Sequence, residues 1–147
     1  MSKNQDEYLL VKVESVGLLD PFGMEGGIRL AAIADPTLVL DMGSFSGEVA
    51  SHVSRFVKGD RSSLPTIYNM LEKMADQHGL HLVRVNLYST GDGSAIRGDL
   101  YFDGRKKELV LEGYRASDSI ALATLYDAPM YAQKTLLSAR KAGPGSA

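Results

Sequence analysis

The chain contains no cysteine. It therefore has no disulfide framework, no thiolate metal site and no thiol nucleophile. Long apolar runs are missing too, since none approaches the roughly 20 residues that a membrane-spanning helix needs, and no membrane association is expected. The opening MSKNQDEYLL lacks the layout of a secretory leader, which gives a cytoplasmic location as the expectation. Strong charge of one sign is also lacking. With a formal net charge of −2 and a pI near 5.9, a nucleic-acid partner would have to be held by a local basic patch, because the global field does not attract it.

What remains is an ordinary globular composition, 44% apolar and 23% charged over 147 residues, enough for one domain with a single core. That domain is expected over 1–141, with 142–147, AGPGSA, as a flexible tail. Inside it the chain resembles itself. LVKV at 10–13 matches LVRV at 82–85, Ile28-Arg29 matches Ile96-Arg97, and LVLD at 38–41 matches LVLE at 109–112. Extended without gaps, the last match sets Ser46 over Ser117 and Ala50 over Ala121. Three matches in one order predict a duplicated unit, about 8–57 and 80–127.

Each unit reads as three strands and a helix. Residues 8–16 and 80–88 alternate as half-buried strands do, and 28–34 with 37–42, then 95–102 with 106–112, supply two more strands per unit. Val49, Val53, Phe56 and Val57 recur at helical spacing, whereas 120–126 is apolar almost all round and should be the more buried helix. A joining helix over 66–78 is expected to turn Ile67, Leu71, Met74, Ala75 and His78 to one face. A strand at Pro129–Ala132 and a last helix from Lys134 to about Lys141 complete the chain. The fold class expected is α+β, with duplicated βββα units forming a mainly antiparallel sheet and helices packed on it.

Chemistry gathers in LVLEGYRASDSIALA at 109–123, where strand gives way to helix. Ser117 occupies an N-cap position and Asp118 faces the positive end of the helix dipole, so both have a structural role whether or not they also act on a ligand. Arg115 opposes that dipole unless an anion lies between them. Either it pairs with Asp118 or Glu112, or the guanidinium and the free amides cradle a phosphate. The matching corner of the first unit, MGSFSGEV, offers Ser44 and Ser46 as an uncharged counterpart, and pseudo-twofold packing would turn both corners to one cleft.

The stretch YRASDSIALATLYDAPMYAQKTLL resembles the closing motif of the bifunctional nuclease domain family, Arg-Pro-Ser-Asp-Ala-Ile-Ala-Leu-Ala followed by an Ala-Pro-Ile strand. Arg115, Ser117, Asp118, Ile120, Ala121, Leu122, Ala123, Ala128 and Pro129 keep that pattern, Gly43 fits the family's Ile-Gly corner, and LPTIYNML occupies its Arg-Pro-x-Thr-His-Asp-Leu-Leu segment. The resemblance implies an α+β fold, occurrence in bacteria or plants, and action on DNA and RNA. The departures are that the family's His falls on Tyr68, the Asp after it on Asn69, its Arg on Leu64, its Pro on Ala116, and two of its acids on Ser46 and Gly113.

Two expectations follow from the resemblance. In the first, the protein is a DNA or RNA nuclease in which Arg115 and Ser117 bind phosphate with Ser44 and Ser46, Asp118 holds a divalent Mg or Mn ion or orients Arg115, and Glu48 or Glu112 supplies a further catalytic carboxylate. In the second, it is a non-catalytic anion-binding or assembly module that has lost its acid and base groups. His52, His78 and His81 read as capping, dipole or surface residues in preference to metal ligands, and GDGS at 91–94 as a hairpin turn. Arg55, Lys58, Arg61 and GRKKE at 104–108 are candidate backbone contacts. Exposed edge strands make a homodimer a further expectation.

Overall fold

A computed structural model describes residues 7–93 and 95–140, without the side chain of Ser44. The expected tail, Lys141 and Ser94 lie outside the described residues. In chain order the elements are β1 (Tyr8–Leu18), β2 (Glu25–Ala32), β3 (Leu38–Ser46), α1 (Gly47–Val57), α2 (Ile67–Gln77), β4 (Leu80–Ser89), β5 (Ile96–Gly104), β6 (Glu108–Arg115), α3 (Ala116–Tyr126), β7 (Met130–Gln133) and β8 (Ser138–Ala139). The fold is α+β, as expected.

One eight-stranded sheet runs β6-β5-β4-β7-β1-β2-β3-β8, antiparallel throughout except where β4 meets β7. Because β7 is antiparallel to β1 and parallel to β4, β1 and β4 run in opposite directions. The two βββα units are thus related by a pseudo-twofold axis through the sheet, which puts α1 and α3 on the same face, in contact with each other.

The pairing register shows how the units superpose. In the first, Gly26 opposes Phe45 and the next pair is Ile28 with Met42; in the second, Gly98 opposes Tyr114 and the next pair is Leu100 with Leu111. Both units carry the same bulge before the helix. Phe45 therefore matches Tyr114 and Ser46 matches Arg115, which corrects the ungapped pairing of Ser46 with Ser117. The slip is two residues, the period of a strand, so inward and outward positions agreed in either register and the pattern could not separate them.

Each helix lies close to its sheet over a glycine. A Cβ on Gly26 would come within 2.3 Å of the Ala50 Cβ, and one on Gly98 within 2.1 Å of the Ser119 Oγ. Above Gly98, Ile120, Ala121, Leu122, Ala123 and Leu125 are all buried, so α3 is the enclosed helix its composition predicts.

Two expectations are corrected. Past β7 there is a 3₁₀ turn at Lys134–Leu136 and then β8 against the outer edge of β3, with Leu38 opposite Ala139, in place of a helix. Pairing covers an edge that would otherwise be open, and Arg140 ties the segment down through Glu14 and the Pro36 carbonyl. On α2, Tyr68 is buried and Leu71 and Ala75 pack on the core, while Ile67 and Met74 are more than half exposed. The capping box of Thr66 and Asn69 fixes the first turn, and the Tyr68 hydroxyl finds a half-buried partner in Asp118, which sets the helix rotation.

Candidate functional site

The bulge and turn at the end of β6 place Arg115 at the N-cap of α3, with extended backbone at φ −59° and ψ 142° and no side-chain cap. The helix begins at Ala116, so Ser117 is its second residue and not the N-cap expected from the sequence. Among the alternatives for Arg115, the ion pair with Asp118 is formed: Nε donates to Oδ2 at 2.8 Å and Nη2 to Oδ1 at 3.1 Å. Glu112 takes no part in it. The Arg115 side chain is still 66% exposed, leaving part of its donor fork for another anion.

That fork borders a cleft of about 490 Å³ between the two units, lined by Met42 and Phe45 from the first and by Ile96, Arg97, Arg115 and Ser117 from the second. Ser46 does not line it; its hydroxyl caps α1 by accepting from the Val49 N–H. The Ser44 side chain lies outside the described residues.

Arg97 is the residue sequence reasoning missed. It stands directly opposite Arg115 in the β5–β6 register, and among the described residues it forms no ion pair or side-chain hydrogen bond. Two like charges facing each other across a strand pair are unfavourable unless something negative lies between them. Arg29 is a contrast within the same molecule: it opposes Asp41 and makes two hydrogen bonds to that carboxylate, at 2.6 and 3.0 Å. The sequence match of Ile28-Arg29 with Ile96-Arg97 is not kept by the fold, because the paired bulges set Gly26 over Gly98 and so Arg29 over Tyr101, and only the pairing shows which residue Arg97 faces.

Behind Arg115 runs a row of polar groups contributed by all three helices. The Tyr68 hydroxyl donates to Asp118 Oδ1 at 2.7 Å. The His52 ring meets Tyr68 edge-on at 6.3 Å between centroids, its Nδ1 lies 2.9 Å from Arg55 Nη2, and its Nε2 lies 3.9 Å from the Glu48 carboxylate. Glu48 stands on the first turn of α1, just beyond Phe45 of the cleft wall. Glu112 sits apart on the edge strand, where its charge adds to the burial and the Asp99 carboxylate that push Tyr88 up to about 12.

Burial works to raise the pKa of Asp118, but the hydrogen bonds from Arg115 and Tyr68 and the guanidinium charge outweigh it and hold the carboxyl below the usual aspartate value. Tyr68 is shifted upward by burial and then by Asp118, so it keeps its proton. The His52 pKa is lowered by burial and by the charge of Arg55, with Glu48 pulling the other way. A carboxyl with a depressed folded pKa contributes stability that is present above its unfolded pKa and is lost as pH falls through the folded value. Tyr68→Phe is therefore expected to cost about 1 kcal/mol near neutral pH and, by raising the folded pKa of Asp118 towards its unfolded value, to make the acid loss smaller and end it at a higher pH. Urea unfolding from neutral to strongly acid pH measures both.

The donor set does not fit a divalent metal. Both oxygens of Asp118 are engaged by Arg115 and Tyr68, and no group of three or more His, Asp or Glu residues suited to a metal occurs among the described residues. No described helix is long and apolar enough to cross a membrane. The family model described as the bifunctional nuclease domain matches residues 45–143, from the end of β3 through the whole second unit. No curated protein matches the chain.

Proposed function

The chain belongs to the bifunctional nuclease domain family, and from that premise we propose that it hydrolyses phosphodiester bonds of DNA or RNA at the cleft between its two units. Arg115 and Arg97 hold the phosphate side by side from one wall of the cleft, helped by the Ser117 hydroxyl and the first amides of α3. Asp118 fixes the plane of the Arg115 guanidinium, and Tyr68 fixes Asp118. Glu48, exposed and one turn beyond the cleft wall, takes the proton of the attacking water. The observation that carries this reading is Arg97, which has no ion pair among the described residues, directly beside Arg115 on the second unit's wall of the cleft; Asp118 neutralises only one of the two guanidinium groups.

One observation favours a second reading, capture of the anion without cleavage. Tyr68 stands where the family pattern has its histidine, and its hydroxyl is kept protonated by burial and then by Asp118. Plasmid and RNA incubated with the purified protein, with and without Mg²⁺ or Mn²⁺, separate the two. Hydrolysis predicts cleavage that falls in Arg97→Ala and Asp118→Ala. Oligonucleotide binding with no cleavage supports the second reading, and neither binding nor cleavage contradicts both.

A further inference from the structure

His52 reads from the sequence as a surface or capping residue, and nothing in the family motif involves it. In the fold its side chain is only 14% exposed, stacked on Phe56 and edge-on to Tyr68. Its Nδ1 faces Arg55 Nη2 at 2.9 Å. A guanidinium has donors and no acceptor, so Nδ1 must be the accepting nitrogen and the ring proton must sit on Nε2. An imidazolium would have no lone pair to offer Arg55. The proton-bearing Nε2 makes no hydrogen bond among the described residues and stands 3.9 Å from Glu48 Oε1, one helical turn away on the same face of α1.

We propose that His52 is the positioning residue of this site: Arg55 locks it as the Nε2–H tautomer, and that N–H closes from its 3.9 Å separation onto the exposed Glu48 carboxylate to aim it when substrate is bound. This rests on the hydrolytic reading above and assigns its proton-accepting arm. Water adds to phosphorus and its proton passes to Glu48. The ester P–O bond breaks, the departing alkoxide takes a proton from solvent, and Glu48 returns its proton to solvent. His52 stays neutral and gives up no proton, because donating one would leave an imidazolate. Its contribution is orientation, and it acts on the chemical step in preference to substrate binding.

Isosteric substitutions separate that role from packing. Glutamine places an amide N–H near the Nε2 position, whereas asparagine reaches only as far as Nδ1. With a labelled single-stranded oligonucleotide as substrate, His52→Ala and His52→Asn are expected to lower kcat by about 10²-fold with KM nearly unchanged. His52→Gln should recover most of that loss. ¹⁵N–¹H correlation spectra of the wild-type imidazole at neutral pH should show the Nε2–H tautomer. No cleavage by the wild type removes the hydrolytic reading and this inference with it. Cleavage that all three variants retain, cleavage lost equally in all three, or an Nδ1–H or doubly protonated ring, overturns the inference alone.

Discussion

Arg115→Ala is expected to lower phosphodiester cleavage by about 10²- to 10³-fold, the scale seen when one preorganised donor to a developing negative charge is removed, while the melting temperature barely moves. The two outcomes separate because the Arg115–Asp118 pair is exposed on the arginine side, and exposed ion pairs contribute about 0–1 kcal/mol to stability. Arg115→Lys should recover only part of the loss. An ammonium is a point charge and cannot bond Asp118 through two parallel N–H groups while presenting a third donor to the cleft. Steady-state kinetics of the three proteins, beside their thermal melts, give the comparison. A large drop in melting temperature for Arg115→Ala would make the arginine a structural clamp for α3 instead.

The largest effect on stability is expected at Gly98. Its missing side chain is what lets α3 settle on β5, since an added Cβ would lie 2.1 Å from Ser119 Oγ and 2.5 Å from Ser119 Cβ. Ser119 is fully buried and its Oγ donates to the Arg115 carbonyl at 2.9 Å, so the contact has no room to relax without lifting the first turn of the helix. Gly98→Ala should therefore cost about 2–3 kcal/mol, a fall of roughly 4–12 °C in melting temperature at this chain length. Because Arg115 heads the same turn, cleavage should fall as well. Adding Ser119→Gly removes the obstructing atoms at about 1 kcal/mol of helix propensity, so the double variant should be more stable than Gly98→Ala alone. A double variant weaker by the sum of both costs would mean that Gly98 matters for backbone conformation, not for the approach of the helix.

The pattern of strands and helices was legible because alternation and helical spacing report which side of an element faces the core. That logic found β1 to β6, the enclosed α3 and the α+β class. It did not fix register, since a two-residue slip leaves the alternation of LVLD and LVLE unchanged, and only the paired bulges at Gly26 and Gly98 show that Ser46 corresponds to Arg115. The rotation of α2 was missed for a related reason. That helix carries apolar residues on two faces, and the choice fell to a polar contact, the Tyr68 hydroxyl on Asp118, that no apolar pattern reveals. The last segment had helical composition but found greater advantage in covering the edge of β3. At the site, Arg115 and Asp118 lie three residues apart at a strand–helix junction, so their pairing could be anticipated. Arg97 and His52 reach the same region from β5 and α1, and their partners follow only from tertiary structure.

The pair of guanidinium groups side by side on one wall of the cleft is the central claim, and the salt dependence of binding tests it most directly. For a labelled single-stranded oligonucleotide, each phosphate contact contributes about 0.7 to the slope of log affinity against log salt concentration. Arg97→Ala should flatten the wild-type slope by about that amount, and Arg97→Ala with Arg115→Ala by about twice as much. Slopes that stay at the wild-type value in both variants would show that nucleic acid, where it binds, is held elsewhere on the protein.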